Sequence, residues 1–219
     1  MDRPTLTKEQ VSGIFDSRFI RLADLRYNGT MHYYSVSRKP LGQVPLLSEE
    51  EFKEMYPDAV TCIVIIKTPD AEPRLLLTKE FRYPIGQFLL SPPAGLLDKA
   101  DLESENAVLS AAKREIEEET GLVLKDSDRL YKVNPLCFSS PGMTDEGNAL
   151  ACAVVEADKE ISFNADHTES TERIGDYTLY TRDEALRMLK QGRDDEGIFY
   201  SIYTFVALLY FVSGLWKEA

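Results

Sequence analysis

Histidine, cysteine and tryptophan are scarce in this chain of 219 residues: two, three and one respectively. The three cysteines, Cys62, Cys137 and Cys152, are an odd number, and each sits in an apolar, strand-like run. No CxxC pair and no Cys/His cluster with metal-ligand spacing occurs, and His32 and His167 lie far apart. A disulfide scaffold and a thiolate or imidazole metal site are therefore excluded, and buried reduced thiols are expected, as in a cytoplasmic protein. Positive charge is also short: 25 Lys and Arg stand against 37 Asp and Glu, for a net charge of −12. A binder of nucleic-acid polymers or of anionic membranes needs a basic face, so neither partner is expected. A phosphate-bearing small molecule stays open, because a metal cation can mediate between acid and phosphate. The opening residues MDRPTLTKEQ hold no apolar run, so no secretory signal is expected. Internal repeats and low-complexity linkers are absent as well.

One long hydrophobic run does occur. Residues 197–216 carry no charge for twenty positions, a length that fits a transmembrane helix or tail anchor. Three Tyr, two Ser and one Thr within it, and no basic cluster beside it, favour a helix buried in a domain core or at a dimer interface. The remaining composition, 43% hydrophobic with 12 Gly and 11 Pro, suits a globular chain of one large domain or one domain with an extension.

Local patterning fills in the order of elements. Residues 1–16 read as a polar lead-in with one helical turn. Arg18–Tyr27 and Thr30–Arg38 flank Asn28-Gly29, a strong hairpin signal. Ser48 to Glu51 reads as a capping box for a short helix ending near Tyr56. Strands are expected over Ala59–Lys67, Arg74–Phe81 (after a turn at 69–73), Phe88–Ser91, Leu130–Phe138, Ala149–Glu156 and Asp176–Thr181. After Gly95 a polar loop leads to a helix over Ala107–Thr120 with Gly121 as its C-cap, and further helices are expected over Arg182–Gln191 and in the apolar run. The pattern is that of an α+β protein with a mixed β-sheet and a small N-terminal β-rich subdomain, divided as 1–57 and 58–219.

The acids are not evenly spread. From Gly95 to Gly121, eight Asp and Glu face three Lys and Arg, so twenty-seven residues carry −5 of the net −12. Glu115, Glu118 and Glu119 are spaced i, i+3, i+4, which sets three carboxylates on one helix face, while Leu109, Ala112 and Ile116 form an apolar face. Three carboxylates one turn apart repel one another, and raised pKa values or a bound hard cation are the usual reliefs. Taken alone, the pattern is equally that of a solvated acidic face.

The nine residues Arg114-Glu115-Ile116-Glu117-Glu118-Glu119-Thr120-Gly121-Leu122 resemble, position for position, the core of the Nudix box, with Gly95 as its upstream glycine. Nineteen positions separate Gly95 from Arg114, where the family commonly has fourteen. The first acid of the box then falls on Asn106 counted backwards or on Asp101 counted forwards, with Glu105 beside the former. Lys79–Pro84, Leu90–Gly95 and Ser140–Glu146 further resemble segments of ADP-ribose pyrophosphatases, although Ser91 stands where an acid is common.

The resemblance implies an α/β/α sandwich of the Nudix fold and a hydrolase that cleaves a nucleoside diphosphate linked to a further moiety X. Its products here would be a nucleoside monophosphate and a sugar phosphate. It implies Mg²⁺, or Mn²⁺, held by Glu115, Glu118, Glu119 and the carbonyl of Ala94, with Glu146 or Glu115 as the base that activates water. Arg82 would clamp phosphate, or else be an ordinary strand arginine. Phe19, Tyr33 and Arg38 would hold the base, often across a homodimer, or else be core and interface residues. Glu172 would be a second loop acid near the metals, or solvated. The alternatives are another substrate of the same family and a non-catalytic nucleotide-sensing module. No basic helix-turn-helix that would suit a DNA-binding regulator is evident.

Overall fold

In the computed structural model, residues 3–158, 161–164 and 173–218 are described. They gather into two compact units, Met1–Asp58 with Leu136–Asn148, and Ala59–Pro135 with Ala149–Ala219.

The first unit is built on a three-stranded antiparallel sheet of β1 (Val11–Asp16), β2 (Arg21–Tyr27) and β3 (Met31–Ser37), in that order. Asn28 and Gly29 make the β2–β3 turn with φ of 54° and 76°, a backbone region that Asn and Gly enter at least cost. The register Leu25↔Tyr33 and Tyr27↔Met31 places Ala23, Leu25, Tyr27 and Tyr33 on one face, of which Ala23 and Leu25 are buried. The short helix α1 (Glu49–Lys53) carries the expected capping box: the Ser48 hydroxyl accepts from Glu51 N–H, and the Glu51 carboxylate from Ser48 N–H. Lys39 pairs with Asp58, whose other oxygen accepts from Gly147 N–H at 2.9 Å. The lead-in differs from expectation, because Val11–Asp16 is a strand. Its apolar residues are half-buried or exposed, so no clean alternation marks it in the sequence.

The second unit holds most of a seven-stranded sheet. Its strands are β4 (Ala59–Thr68), β5 (Ala71–Arg82), β6 (Gln87–Ser91), β7 (Ala94–Leu96), β8 (Arg129–Phe138), β9 (Gly147–Glu156) and β10 (Ile174–Tyr180), ordered β10-β5-β4-β9-β8 with β6 on β5 and β7 on β4. Helices α2 (Lys99–Glu103) and α3 (Ala107–Thr120) follow β7, and α4 (Arg182–Gln191) and α5 (Ile202–Ser213) close the chain. Strand periodicity builds two cores. Val60, Cys62, Val64 and Ile66 of β4 pack with Val108, Ala111, Ala112 and Ile116 of α3. Ile63 and Ile65 point the opposite way, toward Ala185 and Met188 of α4 and Ala207, Leu208 and Phe211 of α5. Both faces of β4 are thus covered by helix, which is why it reads as an unbroken apolar run. The fold is α+β, a mixed sheet with helices on both faces, as the sequence leads one to expect.

Three boundaries move. The loop after Gly95 contains β7 and α2; β5 begins at Ala71, inside the expected turn; and the uncharged run is an α-helix over Ile202–Ser213, followed after Gly214 by a 3-10 turn over Leu215–Lys217. That helix is too short to cross a membrane, and no helix among the described residues is long and apolar enough to do so. Ile116, fully buried between α3 and the sheet, anchors the acidic helix. Ile116→Ala is expected to cost about 2–5 kcal/mol by the loss of buried methyl groups and the cavity left behind, read as the shift in chemical unfolding.

Candidate active site

The acidic helix α3 places its carboxylates in unequal surroundings. Glu115 and Glu119 are buried, 7% and 4% exposed, whereas Glu118 is half-exposed. Glu119 Oε2 accepts from Ala94 N–H at 3.2 Å, tying the helix to β7. Glu115 lies against the α-carbon of Gly95: a Cβ there would stand 2.0–2.3 Å from the carboxylate atoms, far inside contact distance. Glycine is required at this position by close approach, not by its backbone angles.

Arg114 is the counter-charge. Its Nη1 donates to Glu115 Oε1 at 2.6 Å and to Glu118 Oε2 at 3.0 Å, and its Nη2 to Asp101 Oδ2 at 2.8 Å and the Leu96 carbonyl at 2.9 Å. Burial disfavours the charged guanidinium, but the hydrogen bonds and charges of Asp101 and Glu115 outweigh it and raise its pKa. The same contact works in reverse on Asp101. Burial raises its pKa, and the Arg114 hydrogen bond, backed by Asp98 N–H, more than compensates and lowers it.

Of the three candidates for the first box acid, Asp101 is the one that Arg114 grips, whereas Glu105 is exposed and Asn106 is the N-terminal flank of α3. The signal was present as Asp98-x-x-Asp101, a reciprocal capping box in which each carboxylate accepts the other's backbone N–H. Because the folded carboxyl titrates below its ordinary value of about 4, its contribution is complete above that value and lost as pH falls through the depressed one. Asp101→Asn is therefore expected to destabilise the protein at neutral pH, by about 1–3 kcal/mol for a charged hydrogen bond removed from a buried partner, with the difference from the native protein shrinking in acid. Unfolding curves at neutral and acid pH read this.

Beneath the helix, Cys62 is fully buried, and burial first, then the charges of Glu119 and Glu115, push its thiol well up. It stays neutral and structural, as expected. Ser91 is buried on β6, and its hydroxyl has no hydrogen-bond partner among the described residues.

The remaining residues singled out by the sequence fall as follows. Arg82, in the second unit, pairs with Glu80 on its own strand at 2.6 Å. In the first unit, Arg38 Nε donates to Glu146 Oε2 at 2.6 Å, and the Glu146 N–H is accepted by the Thr144 hydroxyl. The Tyr33 hydroxyl donates to the Gly142 carbonyl in the same loop at 3.2 Å. Phe19 stands in the β1–β2 turn at 70% exposure, with the Arg18 guanidinium 5.5 Å from its ring centroid. Glu172 lies outside the described residues.

Carboxylate oxygens on one helix face, set over a cradle that a single Cβ would fill, suit a small hard cation. Among the described residues, however, no three His, Cys, Asp or Glu side chains are already gathered as a metal site. Arg114 and the Ala94 amide hold these carboxylates.

Comparison with known proteins decides the family. The NUDIX domain model matches residues 55–201. The chain belongs to the Nudix family. Putative nudix hydrolase 2 of Caenorhabditis elegans is 35% identical over 102 residues, 45% of this chain and 42% of that protein. The ADP-ribose pyrophosphatase of Saccharomyces cerevisiae is 32% identical over 108 residues, 49% of this chain and 42% of that one. These matches span less than half the length of either relative. A crystal structure of an ADP compounds hydrolase matches the whole chain and 97% of its own at a TM-score of 0.55 and 14% identity, a likeness of Nudix fold alone.

Proposed function

We propose that this Nudix protein is a divalent-metal-dependent pyrophosphohydrolase that splits the diphosphate of ADP-ribose, or of a related nucleoside diphosphate sugar, into a nucleoside monophosphate and a sugar phosphate. The observation that carries the proposal is the set Glu115, Glu118 and Glu119 on one face of α3 above the Gly95 cradle. Mg²⁺, or Mn²⁺, bound there would neutralise the diphosphate and polarise the phosphorus toward attack. Glu115, Glu118, Glu119 and the Ala94 carbonyl are the ligands assigned to it, and Arg114 is the residue that holds Glu115 and Glu118 in place. Water adds to one phosphorus, the bridging P–O bond breaks, and the water's proton goes to a carboxylate, Glu146 or Glu115. Arg82 is assigned to the phosphates, which a guanidinium can grip in bidentate fashion. Phe19, Tyr33 and Arg38 are assigned to the base.

The exposed apolar side chains of the first unit, Ile14, Phe15, Phe19, Ile20 and Met31 among them, support a homodimer. The free cysteines support a cytoplasmic location. Incubation with ADP-ribose, other sugar nucleotides and dinucleotides, in Mg²⁺ or in EDTA, tests the proposal. Release of nucleoside monophosphate in Mg²⁺, fastest from ADP-ribose or a sugar nucleotide, is the expected result. No metal-dependent release from any of them contradicts it.

A further inference from the structure

Glu146 sits in a segment that is fastened to β3 and the residues after it almost position by position. The Tyr33 hydroxyl donates to the Gly142 carbonyl, Val36 N–H donates to the Met143 carbonyl at 2.9 Å, and Val36 pairs with Thr144 in a parallel bridge. Ser37 hydrogen-bonds the Asp145 side chain. Beyond Glu146, Gly147 exchanges two bonds with Asp58. Its N–H donates to Asp58 Oδ2 at 2.9 Å, its carbonyl accepts from Asp58 N–H at 2.7 Å, and Asp58 is itself paired with Lys39. All of these residues belong to the first unit.

The backbone on both sides of Glu146 is therefore held, and its own N–H donates to the Thr144 hydroxyl at 3.1 Å. Only the side chain is left to move, and a half-exposed glutamate left to itself spreads over several rotamers. Arg38 takes it up through Nε, which donates to Oε2 at 2.6 Å. The grip is one-sided, since Oε1 accepts no hydrogen bond among the described residues. One carboxylate oxygen tied to a fixed donor sets the plane of the group, and the other stays open to accept. A general base oriented by a third group has this arrangement.

We propose that Arg38 is the positioning residue of the hydrolysis, orienting Glu146 so that Oε1 receives the proton of the attacking water. The inference rests on the proposed function and commits it to Glu146 as the base. It uses Nε alone, so it is a role apart from any contact of the Arg38 Nη groups with substrate. A residue that grips substrate acts on KM, whereas one that orients the base acts on kcat.

Steady-state kinetics of the full chain with ADP-ribose in Mg²⁺, together with NMR of the arginine side chains, tests it. Arg38→Gln is expected to lower kcat by about tenfold or more and to change KM by less. Arg38→Lys, which keeps one cationic donor, is expected to recover kcat to within about threefold of native. Glu146→Ala is expected to lower kcat by about a hundredfold or more, and Arg38→Gln added to it to change kcat by no more than about twofold. In the native chain the Arg38 Nε–H resonance, identified by its absence from Arg38→Lys, is expected to exchange slowly with solvent. Glu146→Ala is expected to speed that exchange by about tenfold or more, the worth of one charged hydrogen bond. Native kcat in Arg38→Gln, a loss confined to KM, no recovery in Arg38→Lys, a full further loss in the Glu146→Ala background, or exchange indifferent to Glu146→Ala would each overturn the inference. The failures are distinguishable. Native kcat in Arg38→Gln beside a slow Glu146→Ala contradicts the positioning role alone. Glu146→Ala at the native rate removes the base assignment and the inference with it, and slow Nε–H exchange in a chain without turnover contradicts the hydrolase.

Discussion

Glu118→Gln is expected to leave the protein folded and to lower its turnover by about a thousandfold or more. Glu118 is half-exposed and among the described residues makes one ion pair, to Arg114, so its removal costs no more than about 1 kcal/mol of stability. The amide has nearly the shape of the carboxylate but not its charge, and a cation held there as proposed would lose a hard anionic ligand. Several kcal/mol of transition-state stabilisation would go with it, and each 1.4 kcal/mol is about tenfold in rate. Turnover at saturating Mg²⁺, with the unfolding midpoint as control, reads the effect. A variant with the native rate would show that Glu118 takes no part.

Gly95→Ala is expected to lower turnover by about a hundredfold through geometry alone. The added Cβ would stand 2.0–2.3 Å from the Glu115 carboxylate, so the carboxylate or the β7 backbone has to move. Glu115 is buried and bound to Arg114, and Arg114 is bound to Asp101 and the Leu96 carbonyl, so displacement of one spreads to the others. Overpacking of this kind typically costs about 1–3 kcal/mol. A misplacement of about 1 Å at reacting groups costs roughly a hundredfold in rate. A folded Gly95→Ala protein with the native rate would remove Glu115 from the site.

These two residues also mark how far the sequence could be read. The spacing of Glu115, Glu118 and Glu119 on a helix with an apolar opposite face was legible because helical periodicity is local, and the resemblance to the Nudix box rests on the same short stretch. The helical layers on both faces of β4 follow from its continuous apolar run. What could not be read is which acid Arg114 selects. That depends on α2, five residues long and formed by a reciprocal Asp98–Asp101 cap within a loop of polar composition. Strand β1 is not legible in the sequence because it is half-buried to exposed along its length, which leaves little alternation of polar and apolar positions. Nor did spacing reveal that Arg38 holds Glu146, because that pair is more than a hundred residues apart in the chain.

The central claim is that the α3 carboxylates support metal-dependent cleavage of a nucleoside diphosphate. Phosphorus NMR of ADP-ribose incubated with the protein tests it most directly. With Mg²⁺, the two diphosphate resonances are expected to give way to two phosphomonoester resonances, to stop changing when EDTA is added in excess, and to resume when Mg²⁺ exceeds the chelator. Cleavage that continues undiminished in EDTA, or a diphosphate spectrum that never changes in Mg²⁺ for ADP-ribose or any sugar nucleotide, would contradict the account.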